Sequence, residues 1–444
     1  MEITGLAACE VLDSRGRPTV WCEVVLSSGA RGSASVPSGA STSSHERREL
    51  RDGGERYEGR GVGRAVANVL QELAQAVNGI DASDQRLVDK ALVEADGTSD
   101  LSRLGANAVL AVSVATALAA AEACKLPLYK YLAGNLGVQP LLPLPMVNIL
   151  SGGAHAGGCI DVQDVLVVPV GAASFAQAIE WATTVREATR REAKALGYFA
   201  DLAADEGGLG LALSSNRAGL DLLCAGINAA GLMPGRDISI AIDVAASQFR
   251  EPSGYLLRSE GRELTATALV EELATWCGHY PIVSIEDPLA EDDWTGWGLA
   301  AEKLAGTVQL VGDDLFATDI ERLERGLKAG VANAVLVKPN QVGTLTAALE
   351  VLRRAQGAGL STILSARSGE TEDCWLADLA VGWASGQIKV GSTTRSERTA
   401  KWNRLLRIEA DPSSGVTFAG REPLRRWDVV HPNEESRNVA GGQS

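Results

Sequence analysis

The 444 residues carry 41 basic and 56 acidic side chains, a net charge of −15 that argues against nucleic acid or an anionic membrane as the main partner. With 45% hydrophobic residues the chain suits a well-packed globular protein, and its length accommodates one α/β barrel, commonly about 250 residues, plus a smaller domain. Seven cysteines without a C-x-x-C pair read as reduced thiols, not as a disulfide framework or a cysteine zinc site.

The first residues, "MEITGLAACEVLDSRG", place acids at Glu2, Glu10 and Asp13 and have no basic stretch ahead of an apolar run. No signal peptide is expected, and the protein is read as cytoplasmic. Residues 1–60 alternate apolar and polar side chains, predicting short antiparallel strands with Gly/Ser-rich turns. Residues 64–78 put Val66, Val69, Leu70, Leu73 and Val77 on one helical face. The uncharged "LGANAVLAVSVATALAAA", 104–121, is Ala-rich and interrupted by Asn107, Ser113 and Thr116, so it reads as a buried helix and not a membrane span. Pro140, Pro143 and Pro145 then disfavour helix and mark a linker. The expected division is an α+β capping domain over 1–138, an α/β barrel over 139–427 and a flexible polar tail over 428–444.

Beyond the prolines one theme recurs, a short apolar strand with a polar end followed by a helix. "ISIAID" ends at Asp243, "IVSIE" at Glu286, "VQLVGD" at Asp313, "AVLVK" at Lys338, "TILSAR" at Arg367 and "QIK" at Lys389. Alternating strands and helices predict a parallel sheet, and so many repeats predict a closed, TIM-like barrel. The C-terminal strand ends of such a barrel share one mouth, so three carboxylates, two lysines and an arginine meet there. A lone acid at a strand end is as readily a helix cap or solvated loop residue. Three in succession point to hard oxygen ligands for Mg²⁺, with no His or Cys to favour zinc. Lysine is scarce, nine among 41 basic residues. Lys338 and Lys389 at strand ends are therefore candidates for proton transfer, since arginine cannot release its proton, although either could serve as a salt-bridge partner.

Several words resemble the enolase family: "DSRGRPTV" (13–20), "VPSGAST" (36–42), "GGAHAGG" (152–158), "DEGG" (205–208), "SIEDPLAEDDW" (284–294), "VLVKPNQVGTL" (335–345), "RSGETED" (367–373) and "RSERTAKWNRLLRIE" (395–409). They occur in order as far as about residue 420. The resemblance implies Mg²⁺-dependent, reversible dehydration of 2-phosphoglycerate to phosphoenolpyruvate, with two ions per site. It implies Asp243, Glu286 and Asp313 as metal ligands and Ser41 on a closing loop as a ligand of the second ion. Lys338 matches the base and Glu206 the acid, while His155, Gln163, Asp164, Arg367, Ser368 and Lys389 match substrate-binding residues. A small phosphorylated substrate and a homodimer or higher homo-oligomer are the expected partners.

The match has departures. Ala366 stands where the family has His before the Arg-Ser pair, and Asp164 where it usually has Glu. Trp21 replaces an acid that pairs across the family's dimer with the arginine matched by Arg407. The enlarged pocket at Ala366 supports an alternative substrate, a bulkier analogue dehydrated to a carboxyphosphonoenolpyruvate-like product in phosphonate antibiotic synthesis. A third alternative is a non-catalytic, enolase-like binding protein.

Overall fold

The structure, a computed structural model, describes residues 1–39 and 42–427. At the N-terminus the alternating sequence forms an antiparallel meander of β1 (Ile3–Leu12), β2 (Pro18–Leu26) and β3 (Arg31–Ser35). Cys22, Val24 and Leu26 on one face of β2 are buried, as period-two patterning requires. The helix Ala106–Ala123 covers this face. It is long and apolar enough to cross a membrane, but 83% of it is buried inside the protein. Its small side chains allow an unusually close approach: a Cβ on Gly32 of β3 would lie 2.1 Å from the Ala119 backbone nitrogen.

The helix expected over 64–78 forms, but with a π-turn at Val69–Leu73. The wider turn changes which side chains face inward. Ala65, Val69, Leu73 and Val77 are buried at four-residue spacing, whereas Leu70, expected on the buried face, is 46% exposed. The proline-rich stretch is likewise more than a linker, because Pro145 lies inside a barrel strand, paired with Ile388.

Eight strands close the barrel: β4 (Leu144–Ser151), β5 (Asp164–Val168), β6 (Ser239–Asp243), β7 (Ile282–Glu286), β8 (Gln309–Gly312), β9 (Ala334–Val337), β10 (Ser361–Ser365) and β11 (Gly386–Gly391), with β11 pairing back to β4. The six strands read from the sequence, β6 to β11, run parallel as expected, whereas β5, which is not among them, runs antiparallel to both β4 and β6. Residues 152–163, which join β4 to β5, hold only a single 3₁₀ turn. A parallel return usually uses a crossover α-helix, which this connector lacks, and the chain reverses instead. Inside the barrel, alternate residues including Met146, Leu166, Val283, Val311, Leu336 and Ile363 pack into one apolar cluster. Leu424 and Trp427 join that cluster. This packed floor holds the strand ends of the opposite face in place.

Candidate active site

The wiring of the barrel decides which side chains share the mouth. Asp243 and Glu286 end β6 and β7 and are register partners. Asp313 and Lys338 follow β8 and β9 directly, Arg367 lies two residues past β10, and Lys389 is within β11. Because β5 is reversed, its beginning faces the same mouth, and Asp164 pairs in register with Asp243. Gln163 and Asp164 thus join the strand-end residues at the mouth. All the described candidates from the sequence converge there. Ser41 lies outside the described residues, as does the tail 428–444.

The acids are met by lysines. Lys389 Nζ lies 2.7 Å from both Asp243 Oδ2 and Glu286 Oε2. Lys338 Nζ is ion-paired with Asp313 Oδ2. Gln163 Nε2 donates to Asp243 Oδ2 at 3.1 Å and Gln341 Nε2 to Asp313 Oδ1 at 3.0 Å. Behind them Asp287, in a strained conformation with φ +39°, accepts the backbone N–H groups of Asp313 (3.0 Å) and Asp314 (2.8 Å). That pair of bonds fixes the turn carrying Asp313. Burial, followed by the charges of Asp243 and Asp313, pushes Glu286 well above the usual carboxylate range. Burial and Asp313 raise Asp314 to about 8. For Lys338 burial works against the charged form, but Asp313 outweighs it and the net shift is upward. For Lys389 the carboxylates around it likewise outweigh burial and hold it charged.

A second group surrounds Glu206. His155 Nδ1 is 3.0 Å from Asp164 Oδ2, and its Nε2 is 3.8 Å from Glu206 Oε1. Arg398 Nη1 stands 4.0 Å from the same oxygen. Burial opposes charge on His155, yet Asp164 and Glu206 prevail and raise it to about 9. Burial raises Glu206, but His155, Arg398, Lys389 and Lys338 together bring it below its ordinary value. Asp164 stands one layer behind the residues that line the pocket. Its side chain is fully buried and receives His155 and Asn148, so it orients the imidazole from behind.

Around the pocket lie His155, Gln163, Glu206, Asp243, Lys338, Ser365, Ala366, Arg367, Ser368 and Lys389. Ala366 contributes only a methyl group at a position 5% exposed. Arg367 Nη1 pairs with Glu46 Oε2 at 2.8 Å, and Arg15 reaches Ser368. Arg15, Glu46, Asn148, Gln341 and Arg398 all support the site but were not singled out from sequence. Arg15 and Arg398 lie in "DSRGRPTV" and "RSERTAKWNRLLRIE", so those words held the available signal.

Two family models match almost the whole described chain. The enolase N-terminal domain matches residues 3–132 and the enolase C-terminal TIM barrel domain residues 139–426. The chain belongs to the enolase family. Its class of chemistry is that of an enolase-like lyase. Enolases typically bind Mg²⁺, and the donors here fit it. Asp243, Glu286 and Asp313 offer only oxygen from consecutive strands, and two of them already share one cation, the Lys389 ammonium. Asp287, Asp313 and Asp314 also bring carboxylate oxygens within 4.8 Å of one another, a further group able to hold a metal. Asp287 is engaged by backbone N–H groups, whereas Asp313 is ion-paired with Lys338 of the pocket.

Proposed function

We propose that this enolase-family protein is a Mg²⁺-dependent hydro-lyase that reversibly dehydrates 2-phosphoglycerate to phosphoenolpyruvate. The observation that carries the reading is that Lys338, Glu206, Arg367 and Ser368 line one polar pocket, a set we read as base, acid and phosphate grip. The C2 proton lies next to an ionised carboxylate, so its removal builds a second negative charge on that group. When bound by Asp243, Glu286 and Asp313, Mg²⁺ would supply positive charge for that carboxylate and compete with Lys338 for Asp313. Lys338, freed from its partner, takes the C2 proton. The Lys389 ammonium adds positive charge at the carboxylate. Glu206 gives a proton to the departing C3 hydroxyl. The surrounding cations hold Glu206 ionised, and an anionic substrate that engages them raises its proton affinity. Arg367 and Ser368 hold the phosphate through charge-assisted hydrogen bonds.

Two ions per site, assembly as a homodimer or higher homo-oligomer and a cytoplasmic location belong to the same proposal. The seven free cysteines support that location. One observation favours a second substrate: the methyl of Ala366 lines the pocket where a His ring would narrow it. This supports dehydration of a bulkier analogue bearing a carboxyphosphono group.

The test follows enol-phosphate absorbance with purified protein, Mg²⁺ and each substrate. Mg²⁺-dependent turnover of 2-phosphoglycerate is expected. Turnover of the larger analogue alone transfers the proposal to the second reading, and turnover of neither leaves a non-catalytic binding protein.

A further inference from the structure

An arginine of the N-terminal sheet reaches into the barrel mouth. The turn between β1 and β2, residues 13–17, is closed by Asp13, whose Oδ1 accepts the backbone N–H groups of Arg15 at 2.8 Å and Arg17 at 2.9 Å. This turn is seated on the loop after β10. Ser14 N–H donates to the Glu370 carbonyl at 2.8 Å, and Ser38 and Gly369 exchange two backbone hydrogen bonds of 2.8 Å. The fit is tight, because a Cβ on Gly369 would come within 2.6 Å of the Ser38 carbonyl and 2.7 Å of Asp13 Oδ2.

From this seat Arg15 Nε donates to Asp205 Oδ2 at 2.8 Å, and Nη2 donates to Ser368 Oγ. Asp205 immediately precedes Glu206, and Ser368 immediately follows Arg367. One planar guanidinium therefore spans the loop that carries the acid and the loop that grips the anion. Arg395 braces the same junction, donating to the Ser14 carbonyl at 2.7 Å and the Ala204 carbonyl at 3.3 Å. A lysine is a point charge and cannot reproduce a fork directed at two separate acceptors.

We propose that Arg15 is a positioning residue that sets the placement of Glu206 relative to the Arg367–Ser368 pair. The elimination step depends on it, whereas removal of the C2 proton by Lys338, carried after β9, does not. This inference rests on the proposed dehydration for its kinetic part only.

The test compares Arg15→Gln, Arg15→Lys, Asp205→Ala and the double variant Arg15→Gln/Asp205→Ala. At saturating substrate, elimination by Arg15→Gln should fall about tenfold or more, the loss expected for one charge-assisted contact. Exchange of the C2 proton should stay near the wild-type rate. Arg15→Lys should recover little, and the double variant should be no worse than either single one, because the two residues act as one unit. A turnover-independent arm follows backbone hydrogen exchange. Arg15→Gln should loosen residues 203–208 and 366–371 together and leave the barrel strands protected. Equal losses of exchange and elimination, additive effects in the double variant, or unchanged protection of either loop would each overturn the inference. Should Arg15→Gln fail to fold, Asp205→Ala carries the same comparison. A wild-type protein lacking both C2 exchange and dehydration would defeat the proposed function alone, and hydrogen exchange would then decide the positioning claim.

Discussion

His155 directs Nδ1 at Asp164 Oδ2 across 3.0 Å, and neither side chain is open to solvent. Burial penalises both charges and raises Asp164, but the paired arrangement keeps the imidazole protonated to about pH 9. The sign of the linkage follows. A His whose folded value lies above its unfolded value of roughly 6.5 contributes its full stabilisation below that pH and loses it as pH rises through 9. The upper bound is roughly 3 kcal/mol, since burial of Asp164 opposes part of the gain. Asp164→Asn should flatten the pH dependence of the melting temperature between 6.5 and 9 and lower the His155 titration midpoint. With only four histidines, the imidazole NMR signals can read this directly. An unchanged midpoint would contradict the arrangement.

Lys338 and Glu206 have separable expected roles. Lys338→Ala should abolish exchange of the C2 proton with solvent. Glu206→Gln should block elimination and leave exchange intact, with each catalytic group contributing about 10²–10⁴-fold. Isotope exchange beside product formation reads both steps. Equal loss of exchange in both variants would refute the division.

Crowding of the acids makes metal binding pH-dependent. Glu286 is raised by burial and by Asp243 and Asp313, so its carboxyl costs stability as pH rises and it ionises. A dication relieves that cost, and binding should release protons. The rise in melting temperature caused by Mg²⁺ should therefore grow as pH rises, and chelation should remove it. Glu286→Gln should lose most of the Mg²⁺ response while the metal-free protein is no less stable. A full Mg²⁺ shift in that variant would remove Glu286 from the ligand set.

Ala366→His restores a ring on the pocket wall. It should raise turnover of 2-phosphoglycerate and depress that of the carboxyphosphono analogue. Paired kcat/KM measurements decide it, and no change in either would make the position neutral to substrate choice.

The N-terminal packing offers a stability test away from the site. A methyl on Gly32 has no room against Ala115 and Ala119, whose backbone atoms stand 2.4 and 2.1 Å from the ideal Cβ. Gly32→Ala should destabilise the protein by about 2–3 kcal/mol, measured by denaturant unfolding. A loss under ~0.5 kcal/mol would mean the helix can shift away from the sheet.

The strand ends were legible because each apolar run stops on a charged residue, and the barrel then brings those ends together whatever the loops do. Asp243, Glu286, Lys338 and Lys389 are of this kind. The reversed β5 was not read, although its sign was present: residues 152–163 are glycine-rich and hold no apolar helical stretch that could return the chain for a parallel strand. The π-turn that exposes Leu70 left no mark in an otherwise regular pattern, because one widened turn shifts a face without altering composition. Arg15 could not be placed at all from spacing. Its partners Asp205 and Ser368 lie 190 and 353 residues away, and only the docking of two separately built sheets brings them within reach.

The inverted second strand also gives one wall of the cleft a connector that carries no α-helix. Its connector, 152–163, leaves and re-enters at the rim, so additions or deletions there need not relay any outer helix. What limits change on this side is its anchoring: the His155 carbonyl accepts the Asp205 N–H at 3.0 Å, and Asn216 Oδ1 accepts the N–H groups of Asp161 and Val162.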